Sequence, residues 1–210
     1  MKMWSQAWAN GEAIPERYAA GRQAETGLVF SDNLSPPLSW SELPAGTRSL
    51  VLICQDFDMP SCVDDVNQPD RDVPADLLRA DFFHWLLIDL PPSTAGLREG
   101  DWSRGFTPRG KPGPNTEGGV RQGLNDCTGW FAADAALAGQ YFGYDGPLPP
   151  FNDMLVHHYV FTLYALDLDR LGVEGSFTGS QVREALAGHV LDTATFSGTY
   201  TINRRLLGAA

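Results

Sequence analysis

The segment Asp81–Leu90, DFFHWLLIDL, most limits what this chain can become. In a regular pleat Phe82, Leu86, Ile88 and Leu90 fall on one side, and Phe83, Trp85 and Leu87 on the other. A strand apolar on both faces must be covered on both faces. Pro91 and Pro92 end it. Two more segments read as buried strands. Ser49–Asp56 carries the run Leu50, Val51, Leu52 and Ile53. His157–Leu168 carries Val160, Phe161, Tyr164 and Leu166 on a packed pleat. Ala194–Asn203 alternates as a final strand. These strands are far apart in sequence, so they must pair across long connections, which predicts a β-dominated domain.

Helix signals are few. Thr178–Leu191 is predicted helical: Thr178 and Gln181 match a capping box, and Val182, Ala185, Leu186 and His189 share a face. Elsewhere in the Gly- and Pro-rich stretch 93–153 a helix is expected only at Ala132–Gly139. Residues 1–34 are mixed, with little periodicity. No repeat or linker divides the chain, so one domain over 1–210 is expected, large enough to bury its own core.

Charge narrows the partners. The 26 acidic and 15 basic side chains leave a net charge of -11, which argues against nucleic acid. Lys2 and Lys111 are the only lysines, which argues against an anionic membrane surface. A local anion pocket stays open, because it needs a few aimed donors and not a positive protein. Cys54, Cys62 and Cys127 show no CxxC spacing and read as buried or half-buried thiols. Met1–Asn10 lacks the apolar core of a signal peptide, and no stretch has membrane-spanning length. A cytoplasmic location is expected.

Several polar residues stand where chemistry is possible. His84 sits inside the most apolar strand, where a polar ring is costly unless hydrogen-bonded. His157 and Tyr159 are two apart and share a face, while His158 points to the other. His189, on the helix, reads as structural. Asp56 and Asp58 bracket Phe57 at a strand end and share a face if the strand continues, with Pro60 fixing the turn. Such a pair can raise one another's pKa, ligate a cation, orient an imidazole or cap a turn. Gly146-Pro147-Leu148-Pro149-Pro150 makes a rigid wall. Together these pieces outline a pocket at one end of a sheet. The loop from Asp58 to Asp76 holds six aspartates and three prolines, and a loop this long usually has a function.

The segments SPPLSW (Ser35–Trp40), DFDMP (Asp56–Pro60), FHW (Phe83–Trp85), GPLPP (Gly146–Pro150) and HHYVFTLYALD (His157–Asp167) stand in an order that resembles the phosphatidylethanolamine-binding proteins, also called Raf-kinase-inhibitor-like proteins, in their bacterial branch. The resemblance covers roughly residues 28–204. It implies a mainly β fold of two antiparallel sheets with Greek-key connections and a few short helices. It also implies a small pocket for a phosphate or phosphoryl head group. Carried over by motif, the ligand-binding residues are Asp56, Asp58, Pro60, His84, Trp85, Gly146, Pro147, His157 and Tyr159. Asp58 is expected to hold a histidine, and binding is expected to weaken as pH rises and the imidazoles lose charge. Phe151-Asn152-Asp153 departs from the family pattern, and the loop Cys62–Ala80 is expected to cover or narrow the entrance.

The expected function is a non-enzymatic binding protein for a small phosphorylated or anionic ligand, with no cofactor, metal or catalytic residue assigned. One alternative is a protein-interaction module inhibiting a kinase or protease. The other is a metal-dependent enzyme using His84, His157 and an aspartate, although no HExxH or Gly-x-Ser-x-Gly spacing supports it. A homodimer is a reasonable expectation from the family's exposed apolar strands.

Overall fold

The computed structural model describes residues 1–25 and 27–207. Its strands are β1 (Lys2–Trp4), β2 (Gly21–Ala24), β3 (Gly27–Phe30), β4 (Leu38–Ser41), β5 (Ser49–Pro60) and β6 (Arg79–Leu90). There follow β7 (Gly96–Leu97), β8 (Gly110–Lys111), β9 (Arg121–Gln122), β10 (Gln140–Tyr141), β11 (His157–Leu166) and β12 (Val190–Tyr200). Two short α-helices join them, α1 (Cys127–Trp130) and α2 (Gly179–Leu186).

The main sheet has the order β12-β11-β5-β6-β9, antiparallel throughout. β11 returns over a long connection to lie beside β5, the Greek-key arrangement. A smaller antiparallel sheet has the order β1-β4-β7. These are the two sheets the resemblance implies. Two short pairs add to them: the hairpin β2-β3, and β8 with β10, which run parallel.

Both faces of the main sheet are covered, as its apolar strands require. On one face Leu50, Leu52, Trp85, Leu87, Phe161 and Leu163 pack with Leu38 and Trp40 of β4 and with Trp8 and Tyr18 of the N-terminal segment. On the other, Val51, Ile53, Leu86 and Ile88 pack with Val182 and Leu186 of α2 and with Leu171 and Phe177. The N-terminal segment thus supplies core aromatics despite lacking periodicity.

The side assignment within β6 differs from the regular pleat. Trp85, Leu87 and Leu90 share one core, and Phe83, Leu86 and Ile88 the other. The cause is two irregularities. Cys54 pairs with Trp85 but Gln55 with Phe83, so His84 is an extra residue in β6. Leu52 pairs with Leu87 but Leu50 with Leu90, which leaves a second extra residue near Asp89. Asp89 adopts φ 62°, a left-handed conformation tolerated by aspartate at such a bulge. Each bulge exchanges the faces of the residues beyond it.

The helices also differ from expectation. α2 begins where predicted, with the Thr178 N–H donating to Gln181 Oε1 at 2.9 Å. It stops at Leu186 because Gly188 turns left-handed at φ 83°. His189 therefore lies beyond the helix, where its ring bonds Asp167 at 3.0 Å, and Val190 and Leu191 belong to β12. Residues 132–139 form turns, not a helix; the helical turn comes earlier, at α1. Among the described residues no helix is long and apolar enough to cross a membrane.

Candidate functional site

A small cavity of about 30 Å³ opens at one end of the main sheet, with Asp56, His84, Gly146 and Tyr159 in its lining. Strand pairing sets up its floor. Tyr159 on β11 lies directly opposite Asp56 on β5, so the two side chains stand side by side on one face. The extra residue in β6 then brings His84 to the same side as its neighbour Trp85. The His84 ring meets the Tyr159 ring edge-on, with centroids 5.0 Å apart.

His84 is held by its backbone neighbours. Its Nδ1 lies 2.7 Å from the Asp145 carbonyl oxygen, and the Asp145 N–H donates to the His84 carbonyl at 3.1 Å. A carbonyl can only accept, so the ring proton sits on Nδ1 and Nε2 is left with a lone pair. Burial holds the His84 pKa below its ordinary value, against the opposing pull of Asp56. Asp145 is itself buried and fixed by Asn33 at 2.8 Å, Asn125 at 2.8 Å and Lys111 at 2.9 Å. The same Asn33 accepts the Gly146 N–H at 2.8 Å. A side chain at Gly146 would run into the Tyr18 carbonyl oxygen, which explains the glycine there.

The Tyr159 hydroxyl is buried, and the residue is 1% exposed. It has no hydrogen-bond partner among the described residues. Burial pushes its phenol well up, and the nearby Asp56 carboxylate adds to the rise without standing in good hydrogen-bonding geometry.

Behind Asp56 runs a buried ladder of alternating charge. His157 Nδ1 donates to Asp56 at 2.7 Å and Nε2 to Asp153 at 3.0 Å. Arg79 donates to the two Asp153 oxygens at 2.6 and 3.1 Å. Burial alone would lower the His157 pKa, but its two carboxylate partners hold it at about 9, so the ring is cationic at neutral pH. Asp153 is held below the usual carboxylate range; burial opposes this, and His157 and Arg79 prevail. The ladder is electrically balanced from end to end.

The motif residues thus divide. Asp56, His84, Gly146 and Tyr159 line the cavity. His157 is fully buried behind Asp56, with both ring nitrogens committed. It therefore cannot join His84 as a metal ligand without breaking the ladder. Asp58 does hold a histidine, but it is the exposed His158, at 2.8 Å. A register shift between Asp56 and Met59 parts the two aspartates, so they do not share a site. Pro60 ends β5 opposite Arg79 and is absent from the lining. Trp85 packs in the core against Tyr144, its indole N–H donating to Gln122 at 3.0 Å. The Pro147 carbonyl accepts from Ala20 at 2.9 Å, and the proline wall is made by Pro149 and Pro150.

The acidic loop is shorter than expected, because β5 runs on to Pro60; Met59 at its start lines the cavity, and none of residues 62–80 does. It is tied instead to the 151–153 segment, where Asn152 Nδ2 donates to the carbonyls of Asp65, Gln68 and Arg71 at 2.8 to 3.2 Å. The aromatic side chains of Phe82, Phe106, Trp130 and Phe131 also line the cavity, and they are more exposed than its buried polar floor. A larger groove of about 490 Å³ lies between this loop and the C-terminal segment. It holds none of the motif residues, and its Arg71 and Arg205 are paired with Asp65 and Asp72, so the small cavity is the better candidate.

Sequence reasoning missed Asn33, Lys111, Asn125, Asp145 and Asp153 as supports. Asp145 stood beside the Gly-Pro turn, and Lys111 was one of two lysines, but nothing linked them across the chain. The aromatic lining left no spacing signal.

The sequence model described as phosphatidylethanolamine-binding protein matches residues 4–201. A UPF0098 protein of Methanothermobacter thermautotrophicus is 32% identical over 200 residues, covering 95% of this chain and 98% of the relative. A crystal structure of a putative phosphatidylethanolamine-binding protein homologue from Chlamydia trachomatis is 31% identical, with a TM-score of 0.63 and 95% of each chain covered. Escherichia coli YbcL, described as a member of the mammalian PEBP family, has a TM-score of 0.68 at 23% identity over 96% of this chain and 98% of its own. That last likeness bears on the fold alone. With its sheet order, its motif residues and these matches, the chain belongs to the phosphatidylethanolamine-binding protein family.

Proposed function

We propose that the protein is a non-enzymatic binding protein whose cavity takes a small phosphorylated or otherwise anionic ligand, with the whole chain acting as one unit. The observation that carries this reading is the Tyr159 hydroxyl, buried and unpartnered beside Asp56 and His84. An unsatisfied buried hydroxyl costs roughly 1–3 kcal/mol. A fold that keeps one in a cavity gains by offering it to a ligand oxygen. The polar floor is matched to a small oxyanion, and the more exposed aromatic lining supports an apolar substituent on it.

The test is calorimetric titration of the wild-type chain and Tyr159→Phe with inorganic phosphate, phosphoethanolamine and phenyl phosphate near pH 6. Saturable binding to wild type is expected, about tenfold weaker in Tyr159→Phe for the loss of one charge-assisted hydrogen bond. The variant should unfold at the same denaturant concentration as wild type or a higher one, since it loses an unsatisfied group and no protein contact. Absence of binding to all three compounds, or unchanged affinity in Tyr159→Phe, would overturn the reading.

A further inference from the structure

The cavity offers more acceptors than donors. Asp56 presents a carboxylate, which can only accept, and its fixed partners are the Asp58 N–H at 2.7 Å and His157 at 2.7 Å. His84 presents Nε2, whose lone pair also accepts because Nδ1 holds the proton against Asp145. Tyr159 alone brings an O–H.

Among the described residues, no unpaired positive charge lines the cavity or acts on His84 to offset this. The groups that face His84 are Asp56 from β5, Asp126 and Cys127 at the start of α1, Asp145 from the loop after β10, and Tyr159 from β11. Phe82, on its own strand, covers the ring with centroids 4.8 Å apart. Asp126 accepts the Phe83 N–H at 2.7 Å, Asp145 is matched by Lys111, and Asp56 is matched by His157. A fully ionised oxyanion would therefore meet a carboxylate and an imidazole lone pair, with one phenol to hold it.

A single proton reverses that balance. Placed between a ligand oxygen and His84 Nε2, it turns two opposed acceptors into a charge-assisted hydrogen bond. We propose that the site binds its oxyanion only together with one proton, accepting a phosphate monoester and refusing a sulfate monoester of the same shape. This rests on the anion-pocket reading above. A phosphate monoester carries an ionisable proton of its own, with a second pKa of about 6. A sulfate monoester carries none near neutral pH, so the proton must come from solvent to a buried ring that resists it.

The experiment compares phenyl phosphate with phenyl sulfate on the full wild-type chain, keeping the ring constant. Calorimetry is run at about pH 5.5, 7 and 8.5, in two buffers of different ionisation heat at each pH, so that protons taken up on binding are counted. Phenyl phosphate is expected to bind at least about tenfold tighter than phenyl sulfate at pH 7. Its affinity should fall about tenfold per pH unit above its own second pKa of about 6. It should take up about one proton per site at pH 8.5 and nearly none at pH 5.5. Phenyl sulfate should take up about one proton wherever it binds. Equal affinities at pH 7, or phosphate binding at pH 8.5 with no proton uptake, would overturn the proposal while leaving the anion pocket standing. If neither ester binds at any pH, the anion-pocket reading falls and this proposal with it.

Discussion

Two aspartate–histidine pairs cross from β5 to β11, at neighbouring histidines, and they are chemically alike. Asp56 bonds His157 at 2.7 Å, and Asp58 bonds His158 at 2.8 Å. Their surroundings differ completely. The His157 side chain is fully buried and continues into Asp153 and Arg79, whereas the His158 side chain is 58% exposed. Length and partner type therefore do not set the importance of an ion pair; its surroundings do. In the buried pair, removing one member strands the other without water. In the exposed pair, water and salt replace the lost partner.

The largest effect that would test this contrast is His157→Ala. It leaves Asp56 and Asp153 buried without their shared cation, and a loss of about 3–5 kcal/mol is expected in denaturant unfolding. A loss below about 1 kcal/mol would mean that the ladder relaxes or hydrates, and that burial does not set the two pairs apart.

Titration comes next. The folded His157 pKa of about 9 lies above the ordinary 6.5. The imidazolium's contribution is therefore complete below pH 6.5 and is lost as pH rises through 9. A decline on the order of 3 kcal/mol is expected between those limits, seen as a falling urea midpoint. His84 works in the other direction. Its depressed pKa means that below about pH 6.5 the unfolded chain takes up a proton the folded one resists, which costs stability on the acid side. A flat stability profile from pH 6.5 to 9 would show that His157 is not a folded-state cation.

His158→Ala should have the smallest effect, under about 1 kcal/mol and smaller still in high salt. The alkaline decline in this variant should match that of wild type, because the titrating ring is the one behind Asp56. A shallower decline would assign part of the pH dependence to the surface pair.

The two pairs also show how much of the molecule was legible beforehand. His157 and Tyr159 on one face, with His158 on the other, follow from period two alone, and β11 obeys it. Asp56 and Asp58 follow the same rule on paper, yet a register shift separates them. Bulges leave no mark in hydrophobic alternation, and so Trp85 and Leu87 share a side as alternation predicts, while Phe83 and Leu90 lie opposite to where it puts them. The short motifs located the cavity because each residue type carries its own chemistry. The supports were hidden for a different reason. Asn33 reaches Asp145 across 112 positions and Arg79 reaches Asp153 across 74, and no local pattern encodes such contacts.

The extra residue at position 84 has a consequence for how this protein can diversify. Strand β6 pairs through Phe83 and Trp85 with successive residues of β5, and the ladder between those two strands passes His84 by. Its backbone carbonyl accepts the Asp145 N–H instead, and a carbonyl is a group that every amino acid possesses. The identity of the side chain at 84 is thereby uncoupled from strand pairing. Of the cavity's three polar side chains, Asp56 anchors the charged ladder and Tyr159 sits in register between β5 and β12. Position 84 is the one where mutation can explore new ligand chemistry with least disturbance to the sheet that carries it.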